Sequence, residues 1–294
     1  MAVVSTVTFN GKTLNQKRFR IQHLPDYTIA ERDQERLHVE GRDGDLILDA
    51  KSYKNIPRKY SISFGADGPE DFAASVSEIS KWLDCSGYCE LEDTYDPEYF
   101  WLAVPVGSPK VYSILNGYMG KVDIEFSCQP RKFLKYGRTP VQIEAAANSQ
   151  DTAIFRLYNP SEYDAQPVIY VYPKAFTQAA SSGKTVNIKI AENIDLLNGS
   201  PPQSSEDKYY EVDIDLSPRY GNLLNRFNRM VIIDCERENA YGPALSGSGD
   251  MVNLNSYVSV LANEYPVLRA KKNNTIFIKG DVTDIAIIPA YWTR

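Results

Sequence analysis

The sequence has few of the residues that carry nucleophilic catalysis or metal binding. Its 294 residues include two histidines and four cysteines. No Gly-x-Ser-x-Gly or Cys/His motif is present, so the sequence does not support a nucleophilic triad. Four cysteines are also too sparse for a disulfide framework in a chain of this length. We therefore predict no catalytic residue, no cofactor and no enzymatic activity.

The sequence also lacks an excess of basic charge and long apolar runs. Lys and Arg number 32 against 38 Asp and Glu, a net charge of −6, whereas surfaces that bind nucleic acid are normally basic. No apolar run approaches the roughly 20 residues that span a bilayer. The first residues, MAVVSTVTFNGKTL, lack the basic start and apolar block of a signal peptide. We expect no nucleic-acid partner, no membrane insertion, and folding in a cytoplasm.

Cys85 and Cys89 are the one cysteine pair close enough in sequence to weigh as a site. They could hold zinc if His23 and His38 joined them, but zinc sites usually bring their ligands in two close pairs. A local disulfide is a second alternative. Free thiols are the interpretation that a reducing compartment favours. We predict no metal site.

Alternation of apolar and polar residues with period two dominates the chain, as is typical of half-buried antiparallel strands. Turn-forming Gly, Pro, Asn and Asp recur between the alternating runs, which favours sandwiches or barrels over strand–helix units. The fold class is therefore mainly β. The clearest runs are YSISF at 60–64, VNIKI at 186–190, YEVDIDL at 210–216 and TIFIKG at 275–280.

One helix is predicted, in GPEDFAASVSEISKWLD. Pro69 suits the first helical position, and the acids after it suit the positive end of the helix dipole. The predicted apolar face, with Trp82 placed beside it, comprises Phe72, Val76, Ile79 and Leu83. A helix this short is marginal alone, so we expect that face to cover a sheet.

Three acids, Glu211, Asp213 and Asp215, alternate along one predicted strand and share a face. Their spacing superficially suits a pair of glycosidase carboxylates. Cation binding is another possibility. Because apolar residues fill the intervening positions, we interpret the acids as the solvated face of a sheet.

The stretch GRDGDLILD at 41–49 raises the question of a phosphate or calcium loop. It has too few glycines for phosphate, and it lacks the oxygen-ligand register of a calcium loop. Asp-Gly is instead a strong hairpin signal, because a tight turn needs positive φ. We predict a turn between two strands.

Aromatic residues are concentrated in YDPEYFWLAVP at 95–105. On a strand, some of these side chains must face away from the core of their own domain. Tyr and Trp suit surfaces that are buried against a partner or stacked on a sugar. Tyr99 and Trp101 are therefore candidate contact residues, although β propensity alone also accounts for part of this enrichment.

The length favours two domains, and two segments of the chain are rich in small and polar residues. The segment at 144–150 precedes a fresh set of strands, so we place the domain junction between about residues 135 and 150. The segment LLNGSPPQSSEDK at 196–208 has the composition of a long exposed loop. We expect this loop to be mobile, open to proteolysis, and available to dock an outer partner.

Several phrases, taken in order, resemble the distal tail proteins of siphophages, the hub at the tip of a long non-contractile tail. The resemblance spans nearly the whole chain. Its first half rests on FNG at 9–11, GRDGDLILD at 41–49, YKNIPRKYSISF at 53–64, WL at 82–83 and FSCQP at 126–130. Its second half rests on NP at 159–160, IIDCERENAY at 232–241, EYPVLRAKKNNTIFIKG at 264–280 and IIPAYW at 287–292.

The resemblance implies two β-sandwich domains. The N-terminal domain, 1–138, would form the ring and carry one helix and an extended hairpin that embraces a neighbouring subunit. The C-terminal domain, 139–294, would be galectin-like. Six copies would form a homo-hexamer at the virion tail tip, assembled in the host cytoplasm, that joins the tail tube protein to the tail-associated protein and receptor-binding proteins. The candidate assembly residues are Gly41, Arg42, Asp43, Gly44, Tyr99 and Trp101.

Two rival functions remain at this level. The C-terminal domain could be a carbohydrate-binding module that recognises host cell-wall saccharide through an exposed Trp or Tyr, or the chain could be an enzyme acting on wall polymers. One departure from the family concerns the turn before the late N-x-I phrase. Relatives usually have a glycine there, whereas this chain has Lys271, Lys272 and Asn273.

Overall fold

A computed structural model of the chain describes residues 5–144, 152–176, 178–180, 183–192, 209–219 and 227–294. The predicted loop at 196–208 and nearly all of the segment at 144–150, where the domain junction is predicted, lie outside these residues. The chain divides into two compact units: a first unit of Met1–Lys135 together with Arg294, and a second unit of Tyr136–Thr293.

The first unit contains ten strands and one helix among the residues described. The strands are β1 (Val7–Phe9), β2 (Lys12–Thr13), β3 (Phe19–Ile21), β4 (Arg32–Leu37), β5 (Leu46–Tyr53), β6 (Ile56–Gly65), β7 (Cys89–Asp93), β8 (Tyr99–Pro105), β9 (Val111–Ile114) and β10 (Met119–Leu134). The helix is α1 (Pro69–Leu83). One antiparallel sheet runs in the order β2-β1-β7-β8-β10-β6-β3, with β9 also paired to β10. Strands β4 and β5 form a separate two-stranded hairpin.

The sheet of the first unit is built around the pairing of β6 with β10. Alternate residues of the two strands are buried, and Val122 lies opposite Ile62 as Ile124 lies opposite Tyr60. At the next buried position a Cβ on Gly120 would come within 2.2 Å of the Phe64 ring. Glycine is therefore required there, because the aromatic ring occupies the space of a side chain.

Helix α1 covers this core, and its bounds agree with the predicted helix. Pro69 occupies the first turn, with the acids Glu70 and Asp71 beside it. Ile79 and Trp82 are buried, whereas Phe72, Val76 and Leu83 are partly buried against the same core. Trp82 thus lies within the packed face and not beside it. Its indole N–H donates to the carbonyl of Lys12 at 2.7 Å, which fixes the end of the helix against the β1–β2 turn.

The second unit forms two antiparallel sheets in its described residues. One has the order β11-β21-β13-β16-β17-β18 and the other β12-β20-β14-β15-β19. Strands β14 and β15 alternate buried and more exposed positions as their sequences predict, whereas β20 buries three successive residues, Asn274, Thr275 and Ile276, before the alternation resumes. The strands are β11 (Val141–Glu144), β12 (Thr152–Tyr158), β13 (Val168–Pro173), β14 (Thr185–Glu192), β15 (Tyr209–Asp215), β16 (Val231–Asp234), β17 (Asn239–Pro243), β18 (Met251–Asn253), β19 (Val258–Val260), β20 (Asn273–Gly280), β21 (Val282–Ile288) and β22 (Trp292–Thr293).

Short 3-10 turns connect several of these strands. They are Leu115–Gly117, Lys135–Arg138, Gln178–Ala180, Ser217–Arg219, Phe227–Arg229, Asn255–Tyr257 and Leu261–Asn263. With one α-helix among the described residues and strands throughout both units, the mainly-β prediction is confirmed.

Buried asparagines hold the loops of the second unit. The Asn159 side chain donates to the carbonyls of Tyr163 and Leu268, at 3.1 and 2.8 Å. Asn274 accepts a hydrogen bond from the Arg269 N–H at 2.7 Å. The turn between these last two residues contains Lys271 at φ 55°, a left-handed conformation that glycine adopts more readily than lysine.

Candidate assembly surface

The β4–β5 hairpin is the feature of the first unit that is least covered by its own chain. Leu37 pairs with Leu46, and Glu35 pairs with Leu48. Since residues two apart on a strand share a face, Leu37, Leu46 and Leu48 form one apolar surface, which we call the leucine face. Leu37, Leu46 and Leu48 are 36 to 46% exposed. Monomeric proteins seldom leave such a contiguous apolar surface uncovered.

The tip of the hairpin carries four of the sequence-predicted residues. Gly41, Arg42, Asp43 and Gly44 are all exposed. The two glycines have φ values of 77° and 80°, which L-residues rarely adopt. The hairpin prediction is confirmed, but the tight two-residue Asp-Gly turn is wrong. The connection covers residues 38–45, because Leu37 and Leu46 form the last strand pair.

Ion pairs and ring contacts hold the hairpin near its base. The Arg32 Nε donates to both carboxylate oxygens of Asp49, at 3.1 and 3.0 Å. The hydrogen bonding from Arg32 is the main cause that lowers the pKa of Asp49 below its usual value, and a hydrogen bond from the Lys51 N–H lowers it further. The Arg32 guanidinium also lies 5.5 Å from the centre of the Tyr53 ring. These side-chain contacts fix the hairpin at its base.

Tyr99 and Trp101, the two aromatic candidates, lie on β8 in different surroundings. Trp101 is 3% exposed, and the Arg58 guanidinium lies 4.1 Å from its ring centre. Tyr99 is half-buried and has the Lys132 ammonium 4.1 Å from its ring centre. Both rings therefore carry a cation on one face, an arrangement that stabilises the cation and the ring together.

A buried ion pair supports this aromatic strand. Arg58 donates to Asp93 through Nε and Nη2, at 3.1 and 2.5 Å. The Tyr60 hydroxyl donates to the same carboxylate at 2.6 Å. Burial raises the pKa of Tyr60 well above its usual value. Although burial alone would lower the pKa of Arg58, Tyr60 and Asp93 raise it. Sequence reasoning missed this network, because Arg58 and Asp93 lie 35 positions apart.

The acidic strand of the second unit has the surroundings of a solvated sheet face. Asp213 and Asp215 are exposed. The Asn187 side-chain amide donates to Glu211 and Asp213, at 2.7 Å each, and Lys189 pairs with Glu211 at 3.1 Å. The carboxylates thus have amide and lysine partners, as neighbours across a sheet often do.

The cysteines and the tryptophans are the remaining candidate binding residues. All four cysteines are free, and no cluster of three metal-ligating side chains occurs within the described ranges. Trp82, Trp101 and Trp292 are all buried, so no tryptophan is exposed for stacking on a sugar. Within the same ranges, no helix has the length and apolar character needed to cross a bilayer.

The leucine face escaped sequence reasoning, although a signal for it was present. Three successive apolar residues, Leu46, Ile47 and Leu48, interrupt the alternation expected of a strand with one wet face. Both faces of that strand are consequently apolar over these three residues. Ile29, in the segment leading into β4, is another exposed apolar residue, with 92% of its surface accessible. Such residues indicate a surface that a partner covers.

Comparison with known proteins supports the resemblance drawn from the sequence. No protein-family model matches this chain, and no curated protein matches it. Among solved structures, it is similar to the Dit (gp 19.1) protein of phage SPP1, described as a paradigm of the hub adsorption apparatus in phages that infect Gram-positive bacteria. The TM-score is 0.60 and the identity 15%, over 99% of this chain and 100% of that one.

Two structures of the phage p2 baseplate in its activated conformation, one with Sr and one with Ca, are also similar. Each has a TM-score of 0.52 and 6% identity over 97% of both chains. At these identities the likeness concerns the fold and extends from one end of the chain to the other. The resemblance to distal tail proteins is thus confirmed for the architecture: this chain has the fold of the phage hub protein Dit.

Proposed function

We propose that this protein is a structural hub at the distal end of a long non-contractile phage tail. Six copies form a ring that joins the tail tube protein to the tail-associated protein and to receptor-binding proteins. Residues 1–138 form the ring, and residues 139–294 form a galectin-like domain. The protein folds and assembles in the host cytoplasm and resides at the virion tail tip.

The observation that carries this proposal is the similarity to SPP1 Dit over 99% of this chain. The described residues agree with a structural role, since the acids on β15 are paired across a sheet and His38 lies on the exposed hairpin. We therefore propose a protein without enzymatic activity.

The hairpin supplies the physical reason for assembly. An isolated two-stranded hairpin is at best marginally stable in water, and this one exposes the leucine face. Covering that face with a neighbouring subunit removes apolar surface from water, at about 25 cal/mol per Å². The same contact would stabilise the hairpin itself. The isolated chain is thus suited to a ring in which each hairpin rests on the next copy.

Electron microscopy of the purified full-length protein tests the proposal. We expect rings with six-fold symmetry. The variant Leu46→Ser/Leu48→Ser should form no rings and keep the melting temperature of its core, because both side chains are exposed. Tyr257→Ser, a change at an exposed residue of the second unit, serves as the matched control and should leave the rings intact. A wild-type protein that stays monomeric at micromolar concentration by light scattering would contradict the proposed function.

A further inference from the structure

Cys85 and Cys89 lie on either side of a short surface loop in the first unit. Cys85 follows the end of α1, Cys89 is the first residue of β7, and both are partly buried against the core of this unit. The three residues between them, 86–88, are exposed, and the chain bends at Ser86 and Gly87. The bend turns the chain back on itself, so the two cysteines border one loop from opposite sides.

The thiols of these two cysteines are in contact. Burial is the main cause that raises the pKa of Cys89, and the charge of Cys85 and a hydrogen bond between the two thiols raise it further. Because that hydrogen bond favours the protonated form of Cys89, the Cys89 thiol donates and the Cys85 sulfur accepts. A disulfide brings two sulfur atoms to about 2.05 Å, which is a short movement from hydrogen-bonding distance.

The backbone on each side of the loop is held in place. The hydrogen bond from the Trp82 indole fixes the end of α1, and Cys89 pairs with Ala103 of β8. The loop itself is tethered, because the Asn55 side-chain amide donates to the Tyr88 hydroxyl at 2.6 Å. Two groups that are held close in this way react with each other far more readily than with a partner from solution.

Access from solvent separates this pair from the two remaining cysteines. Cys128 and Cys235 have no exposed surface, whereas Cys85 and Cys89 keep some beside the exposed loop. Thiols stay reduced in the cytosol, and disulfides persist in oxidising surroundings. The pair is therefore reduced where the chain is made and open to oxidation where a small oxidant reaches the loop.

We propose that Cys85 and Cys89 form a reversible redox site, which closes to a disulfide when the protein leaves the reducing host cytoplasm. The inference rests on the proposed function only for that change of surroundings. The bond joins the end of the helix that covers the core to a strand inside the sheet of the first unit. It also constrains the unfolded chain, so the oxidised protein unfolds at a higher temperature than the reduced protein.

The oxidant in this reaction is a low-molecular-weight disulfide. The Cys85 thiolate attacks one sulfur of the oxidant and displaces one small thiolate, which leaves a mixed disulfide on Cys85. Cys89 then loses its proton and attacks the Cys85 sulfur, which displaces the second small thiolate. Two cysteine thiols are oxidised, the oxidant is reduced to two small thiols, and these take up the two protons. Cys89 reacts second because its raised pKa keeps it protonated.

Glutathione redox buffers applied to the full-length protein test the site. We expect the wild type to lose two alkylatable thiols as the proportion of oxidised glutathione rises, with Cys85 and Cys89 joined in one linked peptide by mass spectrometry. Cys128 and Cys235 are controls within the same molecule and should be alkylated in full after denaturation. Cys85→Ser and Cys89→Ser should each carry at most one glutathione, and neither should gain melting temperature on oxidation.

A bifunctional arsenical tests the proximity of the two thiols without oxidation. Phenylarsine oxide binds two neighbouring thiols and releases one water. The reduced wild type should retain one equivalent of it through a wash with a monothiol. Cys85→Ser offers a single thiol at the loop and should retain none.

The possible results separate this inference from the proposed function. A wild type that keeps both thiols alkylatable in oxidised glutathione, or carries two separate glutathiones, would overturn the redox site, as would loss of the arsenical in the wash. Equal melting temperatures of the oxidised and reduced wild type would overturn the stabilising role of the bond. A linked Cys85–Cys89 peptide from a protein that forms no rings would establish the redox chemistry and contradict the proposed hub. Rings from a protein that forms no disulfide would do the reverse.

Discussion

Arg58 donates two hydrogen bonds to a single carboxylate oxygen of Asp93, and both side chains are almost completely buried. Removing one member of a buried ion pair leaves the other charge without compensation, which typically costs about 3 to 5 kcal/mol. We expect Asp93→Ala to lower the free energy of unfolding by that amount. Urea unfolding followed by tryptophan fluorescence measures it, since Trp82 and Trp101 report on the first unit.

The matched control for this prediction is Asp123→Ala, in which the acid lies on the exposed side of β10. Surface substitutions usually change stability by no more than about 0.5 kcal/mol. Equal losses in the two variants would show that the buried pair has no special role.

The Arg18–Asp71 pair should make part of the stability of the first unit depend on pH. The hydrogen bond from Arg18 is the main cause that lowers the pKa of Asp71, and a hydrogen bond from the Asp67 N–H lowers it further. Its contribution is therefore fully present above the unfolded pKa, near 3.9, and is lost as the pH falls through the lowered folded value. Asp71→Asn should lower the melting temperature at pH 7 and change it less at pH 3.

Calorimetry at the two pH values measures this difference, with Glu70→Gln as the control in the same helical turn. Glu70 is exposed and adjacent to Asp71. A loss for Asp71→Asn that is the same at pH 3 as at pH 7 would contradict the assignment, because pH 3 lies below the unfolded pKa and part of the contribution should already be lost there.

The four cysteines should differ in reactivity. Burial raises the pKa of Cys128 to about 12 and raises that of Cys235 as well, so thiolate is scarce at both. Cys85 and Cys89 are only partly buried. We expect two thiols to react with a disulfide reagent in the native protein at pH 8 and all four in guanidinium. Burial also raises the pKa of Cys89, so one of the two reactive thiols should be slow.

The same sample tests the prediction that Cys85 and Cys89 hold no metal. Elemental analysis should find less than one zinc per chain, and Cys85→Ser/Cys89→Ser should unfold at nearly the same temperature as the wild type. One tightly held zinc per chain would overturn the prediction. If added zinc protected both thiols from the disulfide reagent, that would also show that Cys85 and Cys89 bind metal.

Gly44 in the hairpin tip should tolerate only residues that accept positive φ. Its φ of 80° is strained for an L-residue, although no atom lies near the position of a Cβ. Valine there should cost about 1 to 2 kcal/mol, confined to the hairpin. We expect Gly44→Val to form fewer rings without shifting the main thermal transition. Gly44→Asn should retain assembly, since asparagine adopts the left-handed conformation more readily.

Gly65 supplies the matched position for this experiment. A Cβ there also meets no atom within 4 Å, and the residue lies in β6 without a positive φ. Gly65→Val should therefore leave the fraction of rings unchanged. If light scattering showed equal assembly by Gly44→Val and Gly65→Val, the conformation of the tip would have no effect on ring formation.

Local patterns predicted the helix and the strands because their causes are local. Pro69 with two acids after it marks the start of α1, and the alternation in residues 186–190 lies within β14. Trp82 was misplaced for a physical reason. An indole can be central to a core when its N–H finds a partner, and that partner, the carbonyl of Lys12, lies 70 positions away.

The candidate surface was only partly predictable. The glycines of the tip follow from the sequence, because positive φ has a residue signature. The cavity at the base of the hairpin does not, since it gathers Tyr27, Tyr53 and Trp101 from separate strands and loops. Lys271 is the converse case, because it has a positive φ although lysine is not a residue type that predicts one. Its turn is held by the side chain of Asn274, which donates a hydrogen bond to the carbonyl of Arg269.

The long strand β10 determines when the first unit can fold during synthesis. Its 16 residues pair with β6, β8 and β9, so β6 waits for a partner that is translated more than 50 residues later. Pairings between such distant segments form slowly, and unpaired strands are exposed to aggregation meanwhile. Once they have left the ribosome, one edge of β6 and the leucine face are therefore exposed together on the nascent chain, and a chaperone that holds residues 46–64 until Leu134 emerges would raise the yield of folded protein.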